Sequence, residues 1–197
     1  MARPRRSEST REALIQAGIT QLSAYGYHGS GIKQILDEVN VPKGSFYNFF
    51  GSKDAFVAEL IDVYSQNLIN QIVQFIKQDE TELNTLDKLK AITLFSINTF
   101  EKSKFSNSCL IATISTDIDD KQPLSLAMLN QSIERCQKLF TLLFKQAQDE
   151  GLIRLDIMAE QLAKIYWSTW QGSLIRMRIS KNKTDAQNCM MQLLALL

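Results

Sequence analysis

Sulfur and imidazole are the scarcest reactive groups in this chain of 197 residues, with three cysteines and a single histidine. Cys109, Cys136 and Cys189 are too scattered for a disulfide framework, and no Cys/His spacing resembles a zinc site. His28 stands alone, so chemistry that needs paired histidines or a triad lacks its partners. No catalytic residue, metal or cofactor is expected, and the chain does not read as an enzyme. Thiol chemistry at one position remains. Cys109 follows the polar stretch Lys102–Ser108 and should begin a helix, where a positive helix end and neighbouring lysines favour the reactive thiolate. Oxidation or alkylation there would make it a sensor, the alternative being a buried, inert thiol. Cys136 and Cys189 read as structural.

A second chemistry is hydrogen bonding to nucleic acid. In PKGSFYNFF, Lys43, Ser45, Tyr47 and Asn48 offer donors and acceptors on one side of a short helix, and Phe46 and Phe49 can anchor the other. Gly44, lacking a Cβ, would let the backbone approach a partner closely. The net charge is only +1, but its distribution is uneven. Residues 1–55 carry seven Lys/Arg against five acids, leaving the other 142 residues at −1. Arg3, Arg5, Arg6 and Arg11 form a basic arm able to meet phosphate.

The elements that would position these groups are all helical. Apolar residues recur at helical spacing nearly throughout, and strand-like alternation is nowhere sustained. No run of eighteen apolar residues marks a membrane span and no leader is evident, so a cytoplasmic protein is expected. A first helix should cover about Ser7 to Tyr25, with Leu14, Ala17, Leu22 and Tyr25 inward and a stop at Gly26. A second, about Gly31 to Val39, would take Ser30 as N-cap. Asn40-Val41-Pro42 then makes a tight turn, asparagine tolerating the left-handed conformation, before a third helix from Lys43 to about Phe49, closed by Gly51. Ser52 caps a long fourth helix, with Phe56, Leu60, Val63, Ile72 and Ile76 facing inward. Five more are expected, at about Thr85–Lys102, Cys109–Ser115, Pro123–Glu150, Met158–Ser180 and Thr184–Leu197. The seventh has the clearest stripe, Leu129, Ile133, Cys136, Phe140, Leu143 and Ala147.

Two short helices joined by a three-residue turn make a helix-turn-helix, whose second helix enters the major groove. The stretch GYHGSGIKQILDEVNVPKGSFYNFFGSKDAF resembles the N-terminal pattern of the TetR family of regulators, over about residues 9–60. Residues 109–111 (CLI) and 170–178 (WQGSLIRMR) resemble the electrophile-responsive NemR-type repressors within it. The resemblance implies a DNA-binding domain over residues 1–51 and a larger ligand-binding and dimerisation domain over 52–197. It implies phosphate contacts from Ser30, Lys43, Tyr47 and Lys53, with Lys33 also in the DNA-binding set and Gly44, Ser45 and Asn48 facing base edges. Asn40 stands where the family often has glycine, and Asn48 where it often has histidine. Asparagine at the latter can pair bidentately with adenine.

It further implies a homodimer through the last two helices on a pseudopalindromic operator, and a small, largely apolar or electrophilic effector. Tyr64, Phe95, Phe100, Trp167, Trp170 and Gln171, with Cys109, are the candidates for sensing it. The apolar tail MMQLLALL suits burial in the dimer, or else within the monomer. Repression is the expected outcome, with activation, or a helical protein-interaction module that binds no DNA, as alternatives.

Overall fold

The structure is a computed structural model, described over residues 4–77, 83–103 and 109–197, with side chains from Glu8 onward. The side chains of Arg3, Arg5 and Arg6, residues 78–82 of the expected loop, and Lys104–Ser108 ahead of Cys109 lie outside the described residues. Among the described residues there are nine helices and no strand, as expected. They are α1 (Pro4–Gly29), α2 (Ile32–Glu38), α3 (Lys43–Phe50), α4 (Lys53–Lys77), α5 (Thr85–Lys102), α6 (Leu110–Ile114), α7 (Pro123–Asp149), α8 (Ala159–Ser180) and α9 (Thr184–Ala195). None of them is long and apolar enough to cross a membrane.

Short-range chemistry accounts for most helix ends. Asn40 adopts φ 54° and Gly51 φ 72°, closing α2 and α3 at the expected positions, and Gly151 at φ 69° closes α7. Ser52 Oγ accepts from the Ala55 amide at 3.0 Å, capping α4. Two expectations fail. Gly31, not Ser30, is the N-cap of α2, and the Gln34 side chain returns to accept from the Gly31 amide at 3.1 Å. Gly26, with non-helical φ 74° and ψ −176°, interrupts the helix where a stop was expected, but the turn beyond it, to Gly29, buries Tyr27, and Tyr25, expected inward, is 65% exposed.

The chain divides into two compact units, Met1–Tyr64 with Cys109–Ser132, and Ser65–Ser108 with Ile133–Leu197. The first is centred on Leu14, Leu22, Phe46, Phe56, Leu60 and Ile111, all fully buried. Helix α1 meets α4 at Gly18, where a Cβ would fall 2.6 Å from Phe56 Cζ and 2.7 Å from Leu60 Cδ1. Asp54, in the first turn of α4, caps the start of α7. Its carboxylate accepts from the amides of Leu124 (3.0 Å) and Ser125 (2.9 Å) and from the Ser125 hydroxyl (2.6 Å). An exposed helix start thus gains an acceptor from a residue 70 positions away.

In the second unit the α7 stripe Cys136, Phe140, Leu143 and Ala147 is buried with Leu89, Ile92, Leu162, Trp167, Met190 and Leu194. Thr93 Oγ1 and Tyr166 Oη share a hydrogen bond of 2.7 Å in this core. Burial pushes the Tyr166 phenol up to about 12, so it stays a neutral hydroxyl. The apolar tail is largely satisfied inside the chain. Met190 and Leu194 are buried, Met191, Leu193 and Leu197 pack on the core, and Leu196 is exposed.

Glu150 closes this unit by capping α5. It accepts from the Thr85 hydroxyl (2.6 Å), the Thr85 amide (3.0 Å) and Gln146 Nε2 (2.8 Å). The Thr85 hydroxyl first, then its amide and Gln146, hold the Glu150 carboxyl below its usual range. A carboxyl depressed in the folded state stabilises above its unfolded pKa, about 4.3, and that stability is lost as pH falls through the folded value. Glu150→Gln should therefore lower the melting temperature at neutral pH and flatten its fall on acidification. Thermal melts at neutral and acid pH check this, and parallel profiles for both proteins would contradict it.

Candidate nucleic-acid interface

Helix α3 is held from beneath by aromatic packing. Phe46 and Phe50, four residues apart, are buried against Phe56, with ring centroids 5.1 Å and 4.6 Å from it. Phe49, the expected second anchor, is only half-buried, and Phe50 takes that place because it shares the inner face with Phe46. Lys43, Gly44, Tyr47 and Asn48 are exposed on the outer side, with Ser45 half-buried between them. Tyr47 packs edge-on against Phe46 at 5.3 Å, which fixes its ring while leaving 46% of the residue exposed. A Cβ at Gly44 would meet nothing within 4 Å, so the fold does not itself require glycine there.

Lys33, Lys43, Tyr47 and Lys53 line one open groove with Gly31, Ile32 and Pro42. Lys33 and Lys43 are exposed cations without an ion pair among the described residues. Lys53 behaves differently. Its ammonium donates to the carbonyls of Tyr27 (2.7 Å) and Ser30 (3.0 Å) and lies 4.1 Å from the centre of the Tyr27 ring. Burial lowers its pKa, and burial followed by the charge of Asp54 raises that of Tyr27. Two of the three ammonium donors of Lys53 are therefore spent on joining α4 to the α1–α2 junction.

Ser30 corrects the sequence expectation. It is 1% exposed, and its hydroxyl is buried without a hydrogen-bond partner, so it does not present an Oγ to a phosphate. Arg11 also departs from the basic arm. It pairs with Glu59 at 2.5 Å and lies 5.2 Å from the Phe50 ring centre, within the fold of α1, α3 and α4.

The expected sensing residues are divided between the two units. Tyr64 and Cys109 fall in the first, and Phe95, Phe100, Trp167, Trp170 and Gln171 in the second. Cys109 is 8% exposed and precedes a helix of only five residues. Phe95 is half exposed and packs on Phe75 at 5.3 Å. Phe100 and Trp167 are buried, Tyr64 and Trp170 half-buried. Gln171 is distinctive because both its amide oxygen and nitrogen are buried with no partner. Among the described residues no group of three His, Cys, Asp or Glu could hold a metal ion. Sequence signals gave no hint of the Asp54 cap, since an acid in the first turn of its own helix has a sufficient local explanation.

Residues 14–60 match the family model described as bacterial regulatory proteins, tetR family. Residues 85–193 match the tetracyclin repressor-like C-terminal domain. The chain is similar to the HTH-type transcriptional repressor DhaR of Mycobacterium sp. (strain GP1), 28% identical over 173 residues, covering 88% of this chain and 84% of that protein. It is also similar to the repressor NemR of Escherichia coli K12, 22% identical over 181 residues, covering 92% and 90%. The crystal structure of a regulatory protein TetR from Rhodobacter sphaeroides superposes with a TM-score of 0.85 at 26% identity, over 94% of this chain and 97% of that one. A recognition helix on an aromatic base is thus joined to a second matching region that spans more than half the sequence, and the chain belongs to the TetR family of DNA-binding transcriptional regulators.

Proposed function

We propose that this protein is a repressor that binds a pseudopalindromic operator as a homodimer and is released by a small-molecule signal. The observation that carries the DNA reading is the outer face of α3, polar and exposed over a fixed aromatic base. Lys33, Lys43 and Tyr47, with the remaining donor of Lys53, would meet phosphates, while Ser45 and Asn48 beside Gly44 would face base edges. Residues 1–51 would supply this contact, and residues 52–197 effector binding and dimerisation. As a member of a family of bacterial regulators, it would meet its DNA in the cytoplasm.

Dimerisation through α8 and α9 is supported by exposed Ile165, Ile175 and Ile179, which fall on one face of α8. The test is to recover a duplex from a randomised pool with the wild-type protein. Its affinity should fall steeply with salt and the complex should carry two chains by light scattering. A salt-independent affinity, or a single chain on the DNA, would overturn this proposal.

For the effector, the unpartnered Gln171 amide, directly after Trp170 in sequence, supports a neutral, largely apolar molecule carrying one hydrogen-bonding group. A second reading follows from Cys109, whose modification by an oxidant or electrophile would disturb a packed site at the start of α6. Under that reading Cys109→Ser should abolish release of DNA by hydrogen peroxide or N-ethylmaleimide, measured by anisotropy. Undiminished release in the variant removes Cys109 from the mechanism.

A further inference from the structure

The α1–α2 junction, residues 26–30, is held by side chains from two distant segments. From α4, Lys53 donates to the carbonyls of Tyr27 and Ser30. From the segment after α6, Asp117 Oδ2 accepts from the Tyr27 amide at 2.9 Å, with the His28 amide at 3.5 Å. These are the first amides after the kink at Gly26, where the interrupted helix leaves donors without intrahelical acceptors. Asp117 thus serves as an N-cap supplied from 90 residues away.

Gly26 is fitted to that carboxylate in two ways. Its φ of 74° lies in the region that favours glycine, and a Cβ there would stand 2.5 Å from Asp117 Oδ2. The carboxylate occupies the space of the absent side chain. Lys53 and Asp117 therefore bind opposite groups of the same junction, one its carbonyls and the other its amides. Thr113 Oγ1 lies 3.3 Å from the carbonyl of Ser23, just before the kink, and 3.2 Å from that of Cys109, so its one proton is shared between the two. The path from this junction to α3 is short, because α2 spans only seven residues and Asn40 turns the chain directly into the recognition helix.

We propose that Asp117 is a positioning residue for operator binding. It sets the direction in which α1 hands the chain to α2 and α3, although it lies outside the segment that reads DNA. Residues 109–132 belong to the same compact unit as residues 1–64, which makes the α6–α7 segment part of the scaffold that aims the recognition helix.

The test uses the full-length protein and the duplex enriched by the wild type. Asp117→Ala should weaken binding about tenfold, with the slope of log affinity against log salt unchanged, because no phosphate contact is lost. Asp117→Asn keeps one acceptor oxygen and should recover most of the affinity. In the free protein, Asp117→Ala should speed hydrogen exchange at the Tyr27 amide and across residues 26–50, while α8 and α9 exchange as in the wild type. Gly26→Ala provides an independent route, since it pushes on the same carboxylate. Its affinity loss should shrink in the Asp117→Ala background, as expected for groups in contact. Wild-type affinity in Asp117→Ala, a reduced salt slope, or unchanged exchange at residues 26–50 would each overturn the proposal. Exchange is read without DNA, so its outcome stands apart from the DNA-binding reading.

Discussion

Phe56→Ala should destabilise the protein by about 3–5 kcal/mol, the usual cost of removing a fully buried phenylalanine. The ring sits at the crossing of three elements. It packs edge-to-face with Phe46 and Phe50 on α3 and lies within reach of Gly18 on α1, which has no side chain to fill the gap. Relaxation into the cavity is limited because the neighbouring rings are themselves locked by one another, at 5.3 Å between Phe46 and Phe50. Urea unfolding should show a lower midpoint with an unchanged slope. Phe56→Leu, which keeps much of the volume, should cost less than about 1.5 kcal/mol. A loss below about 1 kcal/mol for the alanine variant would mean that α3 is not held through this ring. The same variant should also bind DNA poorly, because the outer face of α3 is only as well placed as its inner face is packed.

The second large effect is expected at the surface. Lys43→Ala together with Tyr47→Ala should lower duplex affinity by roughly four orders of magnitude. A hydrogen bond to a charged group contributes about 1.5 kcal/mol at least, and a two-fold dimer loses each one twice. The two substitutions should differ in signature. Lysine neutralises phosphate charge, so Lys43→Ala should reduce the salt slope by about two per dimer, whereas Tyr47→Ala should leave it nearly constant. Both side chains are exposed and free of packing duties beyond the Tyr47–Phe46 contact, so melting temperatures should stay close to the wild type. Anisotropy titrations at several salt concentrations measure both quantities. Unchanged affinity in the double variant would remove α3 from the interface.

Lys53 shows why a similar lysine deserves a different forecast. By type and position it resembles Lys43, yet its ammonium is committed to two carbonyls and the Tyr27 ring. Losing it would disturb the α1–α2 junction before it altered any phosphate contact. Arg11, drawn to Glu59, is a parallel case. Charge counting along a chain registers the cation but not its partner, and the partner decides whether it faces solvent.

Everything governed by neighbours within a few residues is readable from the order of the amino acids. Helical periodicity, the left-handed Asn40, Gly51 and Gly151, the Ser52 cap and the exposed polar side of KGSFYN all follow from local sterics and hydrogen bonding. The family motif is legible for the same reason, being a contiguous helix, turn and helix. Packing between distant helices selects which of two equally plausible residues turns inward or finds a distant partner. Phe50 rather than Phe49 and Tyr27 rather than Tyr25 are buried, and Ser30 is enclosed rather than capping α2. Asp54 reaches α7, Glu150 reaches α5, and Asp117 reaches the kink at Gly26. Each of these bonds joins groups 65 to 90 residues apart, set by how the helices pack, and no periodicity along the chain encodes them. The position of the recognition helix rests on both kinds of information: its residues are local, and its aim is not.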